Sequence, residues 1–279
     1  MIGWSEAGSE PWEGIVLIGK PGEAKSAIAT ATADRIEVRG RDLVDDLMGR
    51  LTFTEYFYLL VTGHEPTAEQ RFFLDLLLVA IAEHGLTPTA VAARMTYDAA
   101  PDSLQAAVAA GILGCGPVIL GTAEVCAGVL AEAGDRVATG EDADAVALSV
   151  AQAIHERRQP MPGFGHPLHK PVDPRARRIL ALAGDHGIAG RYIDLARRFA
   201  PAVEAVWRRP LPMNVSMPIA ACLLDLGFPA AMVKAIPVLA RTAGLLAHLA
   251  EEQTRPIGFL MASRGEEAIA YDGHKEGSR

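Results

Sequence analysis

The sequence predicts an all-α protein. Half of the 279 residues are hydrophobic while aromatics make up only 6 %. Alanine and leucine dominate, a composition that suits helices packed closely on one another. Two four-residue runs, Thr52 to Glu55 and Thr67 to Gln70, fit the capping box that opens a helix, the first and fourth side chains satisfying orphan amides reciprocally. Strand-like alternation is confined to one short stretch near the start.

In chain order, residues 1–30 mix Gly, Pro and small side chains and read as an extended arm. Residues 33–39 alternate as a short strand, and Gly40 turns it. The capping boxes open helices over 53–62 and 68–84. Further helices follow over 103–113, 122–134 and 142–157, the last with an acidic first turn suited to the helix dipole. Gln159 and Pro160 end that run. A loop covers 160–172, after which Asp173 and Pro174 serve as N-cap and first residue of a helix over 174–186. Helices over 190–208, 215–226 and 230–252 complete the series, the last two separated by Gly227, Phe228 and Pro229. No repeat, heptad array or low-complexity tract interrupts it.

A net charge of −8 argues against non-specific nucleic-acid binding, which wants a basic surface. Local arginines can still receive anions. Cys115, Cys126 and Cys222 sit among apolar residues without metal-ligand spacing, and an odd count favours buried thiols in a reducing compartment. The first residues lack the basic and apolar regions of a signal peptide. Apolar runs such as 76–81 are too short to span a bilayer. The expectation is a soluble, cytoplasmic protein with no membrane partner.

Chemistry concentrates in the run from Pro162 to Arg175, PGFGHPLHKPVDPR. Glycines allow close approach of backbone to a ligand, and prolines fix the loop around them. A histidine held there can polarise or protonate a carbonyl near neutral pH. Lys170 and Arg175 can hold anionic groups, Arg by a bidentate fork. A linker without chemistry would need Gly and Pro but not His, Lys and Arg. Elsewhere, Arg241 lies on a largely apolar helix, where a charge must be paired or face a ligand. His248 follows it by two helical turns and reads as a hydrogen-bonded core histidine. His64, His155, His186 and His274 read as surface residues. No cluster with metal-ligand spacing and no glycine-rich phosphate loop is present in the sequence.

The same run resembles the GxGHPxxxxxDPR signature of the citrate synthase superfamily, and the resemblance extends over about residues 33–258. Ile36 to Asp42 is similar to that family's early YRGYDI stretch, and Phe53 to Thr67 to the following helix with its GxxPT exit. Glu83-His84-Gly85 sits at the family's Asp/Glu-His pair. Arg241 to His248 resembles RxxGWxAH, and Arg255-Pro256 its C-terminal RP. The resemblance implies an all-α, citrate synthase-like fold assembled as a homodimer, with the ligand in a cleft. The domains it implies are an arm (1–30), a large helical domain (31–160), a small helical domain (161–250) and a C-terminal segment (251–279) that returns to the large one. It assigns His84 and His166 to the carbonyl of a 2-oxo acid. It assigns Arg175, Arg241 and Arg255 to substrate carboxylates, the last across the dimer. It makes coenzyme A the carrier of the thioester substrate, received by Gly163, Phe164, Gly165, Lys170 and Asn214, with His169 beside Lys170 near its phosphates. For Lys170 and His169 a solvated loop position is the competing reading; for His84, a helix-end residue that meets the last carbonyls.

Two departures bear on the reaction. The family's GPxHGGAxE stretch corresponds to Gly116 to Glu124, which puts Ile119 at its second catalytic histidine. Its NVD base falls in Asn214-Val215-Ser216, so Ser216 takes the aspartate's place. Isoleucine cannot move a proton, and serine is a poor base unless activated. The half of the site that grips the hydroxy-tricarboxylate is retained, while the enolising half is not. Cleavage fits this better than synthesis. The expected function is therefore a CoA-dependent carbon–carbon lyase resembling citryl-CoA lyase, which yields acetyl-CoA and oxaloacetate. The alternatives are a citrate synthase-type acyltransferase and a catalytically degenerate binder of CoA or a dicarboxylate.

Overall fold

A computed structural model of the chain describes residues 25–273, which fall into two compact units divided between Pro66 and Thr67. The first carries a small antiparallel sheet of β1 (Ala29–Ala31), β2 (Ile36–Val38) and β3 (Arg41–Asp42), in that order. Val38 pairs with Arg41, so Arg39 and Gly40 form a two-residue hairpin turn. Both have positive φ, as a type I′ turn requires. The strand expected over 33–39 is shorter, because the Thr32 amide and hydroxyl turn the chain by bonding Arg35 and Asp34. The arm expected over 1–30 contributes β1; its residues 1–24 lie outside the described residues. Asp42 caps a π-helical turn over Leu43–Leu47. Helix α1 (Phe53–Thr62) opens on the expected capping box of Thr52 and Glu55 and closes at Gly63 in the left-handed region. Val38, Leu47 and Leu59 form this unit's core.

The second unit is entirely helical among the described residues. It comprises α2 (Ala68–Ala82), α3 (Pro88–Ala99), α4 (Leu104–Leu113), α5 (Thr122–Ala138), α6 (Ala143–Glu156), α7 (Pro174–Asp185), α8 (Arg191–Trp207), α9 (Ser216–Asp225), α10 (Ala235–Glu252) and α11 (Gly258–Ala268). Packing sorts them into two groups. Helix α10 lies against α2, α3 and α4, and α11 against α3, whereas α5, α6, α7, α8 and α9 pack among themselves. Helix α2 also touches α7 and α9, which joins the two groups. The stretch Ala230–Glu252 is long and apolar enough to cross a bilayer. Here it is a core helix, with Leu245 and Leu249 packed on Ala90, Ala93 and Ala107 and both Arg241 and Glu252 buried.

Several element ends differ from expectation for local reasons. Helix α2 stops at Ala82 rather than 84 because Glu83 is extended and its own carboxylate takes the next two amides. The helix expected over 230–252 is split by a 3₁₀ turn, Ala230–Met232, before α10 begins. Helices α3 and α11 were not expected. The first opens at Thr87-Pro88, a start signal visible in the sequence. The second has its opening amides held by Glu252, just before it, and by Asp98, distant in the chain. All three cysteines are free and buried.

Candidate active site

The end of α2, the loop before α7, the start of α9 and the middle of α10 converge on a cleft of ≈ 530 Å³. His84, His166, Arg175, Arg241, Asn214 and Ser216 line it, together with Ile119.

His84 is set by the turn that ends α2. The Glu83 carboxylate accepts from the backbone N–H groups of His84 (2.7 Å) and Gly85 (2.6 Å) and from His248 Nε2 (3.1 Å). Gly85, at φ +74°, supplies the left-handed residue the turn needs. Although burial works against it, these bonds hold the Glu83 carboxyl below its ordinary range. His248 is thus the hydrogen-bonded core histidine the sequence suggests, and it braces the residue before His84.

The loop carrying His166 is tied to the strand-like stretch before α9. Phe164 bridges antiparallel to Met213. Gly165 N–H donates to Pro212 O (2.7 Å), Asn214 N–H to Gly163 O (2.8 Å) and Asn214 Nδ2 to Gly165 O (3.0 Å). A side chain at Gly163 would strike Met217 and Cys126, 2.7 and 2.9 Å from the position of its Cβ. Gly163 and Phe164 are buried and hold the loop in place. Asn214 has a holding part too, since its Oδ1 accepts from Ser216 N–H (3.0 Å). Lys170 is exposed and is not among the residues lining the cleft.

Two backbone amides, of Leu168 (3.1 Å) and His169 (3.0 Å), donate to His166 Nδ1. A nitrogen that accepts carries no proton, so neutral His166 bears its proton on Nε2 as a donor. Burial first, then the neighbouring His169, lower its pKa; the imidazole is a neutral donor at pH 7. His84 is shifted the same way, by burial and then by Arg175, His169 and Arg241.

Asp173 is fully buried and caps α7 as expected. Its Oδ1 accepts from Arg175 N–H (3.0 Å) and Nε (3.1 Å), and its Oδ2 from Arg175 Nη2 (3.0 Å) and Val215 N–H (3.1 Å). One edge of the guanidinium is therefore spent on Asp173, and the end-on Nη1/Nη2 edge is left for a ligand. Arg241 is 2 % exposed. Its Nη1 donates to Thr87 Oγ1 (3.3 Å) and its Nη2 to Ile81 O (3.4 Å), while Nε has no partner. No carboxylate lies within ion-pair distance of it among the described residues. Glu83 is the nearest opposite charge, too far for a direct pair, and a buried guanidinium so placed is costly unless an anion joins it. Arg255, in contrast, is 81 % exposed and only loosely paired with Glu251 at 4.0 Å, outside the cleft of its own chain. His64, His155 and His186 are exposed; His274 lies outside the described residues.

His169 joins the site in a way that the sequence did not signal. Its Nε2 lies 3.0 Å from His84 Nε2, and its ring stacks on His166 at 4.3 Å. Three imidazoles thus gather with ligand atoms within 4.8 Å, where sequence spacing suggested no such cluster. Residues 84, 166 and 169 meet only because α2 and the loop meet. The tautomer of His166 works against metal ligation, since the nitrogen it presents carries the proton.

The cleft thus sets neutral histidine donors beside two guanidinium groups, Arg175 clamped by Asp173 and Arg241 without a carboxylate in ion-pair distance, a site suited to receiving an oxygen and carboxylates. The family model for the citrate synthase C-terminal domain matches residues 23–258; the chain belongs to the citrate synthase family. It is 27 % identical over 232 residues to the citrate synthase of Saccharolobus solfataricus, which covers 79 % of this chain and 60 % of that one. The chain thus spans about three fifths of that relative's length. Among solved structures, the citryl-CoA lyase of Hydrogenobacter thermophilus superposes with a TM-score of 0.80 at 28 % identity, covering 92 % of this chain and 98 % of that one. An ATP citrate lyase of Methanothrix soehngenii, solved with citrate and coenzyme A, shares the fold at TM-score 0.73 and 19 % identity over 93 % of this chain and 43 % of that one.

Proposed function

We propose that the protein is a CoA-dependent carbon–carbon lyase that cleaves citryl-CoA, or a close analogue, to acetyl-CoA and oxaloacetate. The observation that carries this reading is Arg241, a buried guanidinium with an unpartnered Nε and no carboxylate in ion-pair distance among the described residues, opening on the same cleft as the Nε2–H donor of His166. A substrate carboxylate would complete the first, and a hydroxyl or carbonyl oxygen the second. Arg175 would hold a further carboxylate through its free edge, with Asp173 keeping it in place. In cleavage, the hydroxyl oxygen gives up its proton and becomes a carbonyl, steadied by His166 as charge develops there. The bonding pair leaves with the thioester α-carbon as an enolate, which takes a proton from water. Ile119 and Ser216 both line the cleft. A site without the usual enolising base is better suited to releasing an enolate than to making one. The likeness to the Hydrogenobacter lyase, at TM-score 0.80 and 28 % identity, supports the same direction. Coenzyme A enters as part of the substrate, with Gly165 and Asn214 at the cleft and Lys170 at its exposed approach.

The test is purified protein mixed with citryl-CoA, with acetyl-CoA and oxaloacetate followed beside a His166→Ala variant. We expect turnover, reduced about 10²–10³-fold in the variant, the usual effect of deleting a donor to a developing oxyanion. Citryl-CoA left untouched by a preparation that still binds oxaloacetate or CoA would overturn the lyase reading and leave a binding protein. The citrate synthase relative supports a second reading, condensation of acetyl-CoA with oxaloacetate; citrate formation faster than citryl-CoA cleavage would favour it.

A further inference from the structure

We infer that His169 works with His84 as a proton relay: His84 takes the hydroxyl proton of the substrate and passes its other proton on to His169. This rests on the proposed cleavage for its chemical purpose, though not for its geometry.

Two Nε2 atoms at 3.0 Å require one proton between them, since two lone pairs or two N–H bonds would repel at that distance. One ring therefore donates and the other accepts. With His84 as donor, its remaining nitrogen is a free base. When that nitrogen takes a proton from the substrate hydroxyl, the proton on Nε2 can cross to His169, and His84 ends neutral. The positive charge then rests on His169. Charge on His84 is opposed by Arg175 and Arg241, which face it across the cleft from α7 and α10. His84 lines the cleft and His169 does not, so His169 reaches the reacting atoms only through its neighbour. The other titratable or charged groups around the pair are Glu83 and His248, bonded to each other beneath His84, and His166 with Asp173 in the loop. Balance is simple: the hydroxyl proton enters the pair, water protonates the enolate carbon, and the imidazolium returns its proton to solvent. The relay serves the hydroxyl proton only; the α-carbon, beside which Ile119 and Ser216 offer no strong acid or base, is left to water.

The experiment uses His169→Gln and His169→Ala in the full chain. In the cleavage assay we expect kcat to fall by about 10²-fold, within the range for a lost acid–base group, with KM for citryl-CoA changed little. Added imidazoles should rescue His169→Ala to a degree that follows the base strength of the rescuing ring, which a filler of space would not. In parallel, ¹⁵N NMR of the imidazoles should show His84 and His169 titrating as a coupled pair in the wild-type protein. His84 should titrate singly in His169→Gln, while His166 keeps an unprotonated Nδ1. Unchanged His84 titration in His169→Gln overturns the relay whether or not citryl-CoA is consumed. A coupled titration in a protein that leaves citryl-CoA untouched keeps the relay and defeats the lyase reading. Full activity of both variants, with a wild-type pH profile, defeats the relay alone.

Discussion

His166 owes its chemistry to two backbone amides. By donating to Nδ1 they fix the proton on Nε2, so the loop sets the tautomer without a carboxylate partner. Burial lowers the pKa of both His166 and His84, and this has a stability consequence of fixed sign. A folded state that holds a histidine below its unfolded pKa of about 6.5 binds fewer protons than the unfolded chain as pH drops through that range. The stability these two residues contribute is thus fully present above that value and is lost as pH falls through their lowered folded values. Thermal melts between pH 8 and 5 should show Tm falling on the acid side, and the double variant His84→Asn, His166→Asn should flatten the fall in that window. A melt series with the same slope in both proteins would show that other groups govern it. At this scale the sequence was informative about residue type. His84, His166, Arg175 and Arg241 stand together in the cleft, as the resemblance implied. What it hid were roles that depend on distant partners. Asp173 looked like a helix cap and is also the clamp on Arg175. Glu83 looked like half of a motif and is the anchor of its turn. His169, read beside Lys170 as a neighbour of coenzyme A phosphates or a solvated loop residue, lies within 3.0 Å of His84 at the end of α2.

Between elements, the decisive approach is that of α10 to the end of α2. Gly244 sits where any Cβ would run into the Ala82 carbonyl oxygen, with Glu83 Oε2 3.1 Å away. Its value lies in this close contact, which lets Arg241 and His248 from one helix reach Ile81 and Glu83 on the other. Gly244→Ala should therefore cost roughly 1–3 kcal/mol or more, the range for overpacking a tight core, read as a lower urea midpoint. It should also weaken substrate binding, because the displaced turn carries His84. A variant with wild-type stability would mean that the helices can part without cost. Legibility here was uneven for a physical reason. Helix starts that depend on local chemistry, at Thr52, Thr67 and Asp173, were readable and are present with the expected bonds. Ends and elements that depend on tertiary partners were not. Glu83 stops α2 early by folding its carboxylate back, and α11 exists because Glu252 and Asp98 hold its first amides.

For the molecule as a whole, the open question is Arg255. The resemblance gives it to a substrate carboxylate, yet in its own chain it is 81 % exposed and apart from the cleft. Both statements hold if two copies assemble so that Arg255 of each completes the other's site, the isologous arrangement usual for a symmetric dimer. Arg241, buried in the cleft, would then belong to the same site from the opposite chain. Subunit mixing separates this from a merely exposed arginine. Arg241→Ala and Arg255→Ala homodimers should each be nearly inactive. Co-refolded in equal amounts, half the dimers are mixed. Each mixed dimer has one site with both defects and one with none, so activity should return to about a quarter of the wild-type level. Recovery on that scale requires the two arginines of a working site to come from different chains. Inactive mixtures, with mixed dimers verified by native mass spectrometry, would place both arginines in the site of one chain. An Arg255→Ala homodimer as active as wild type would remove Arg255 from the site altogether.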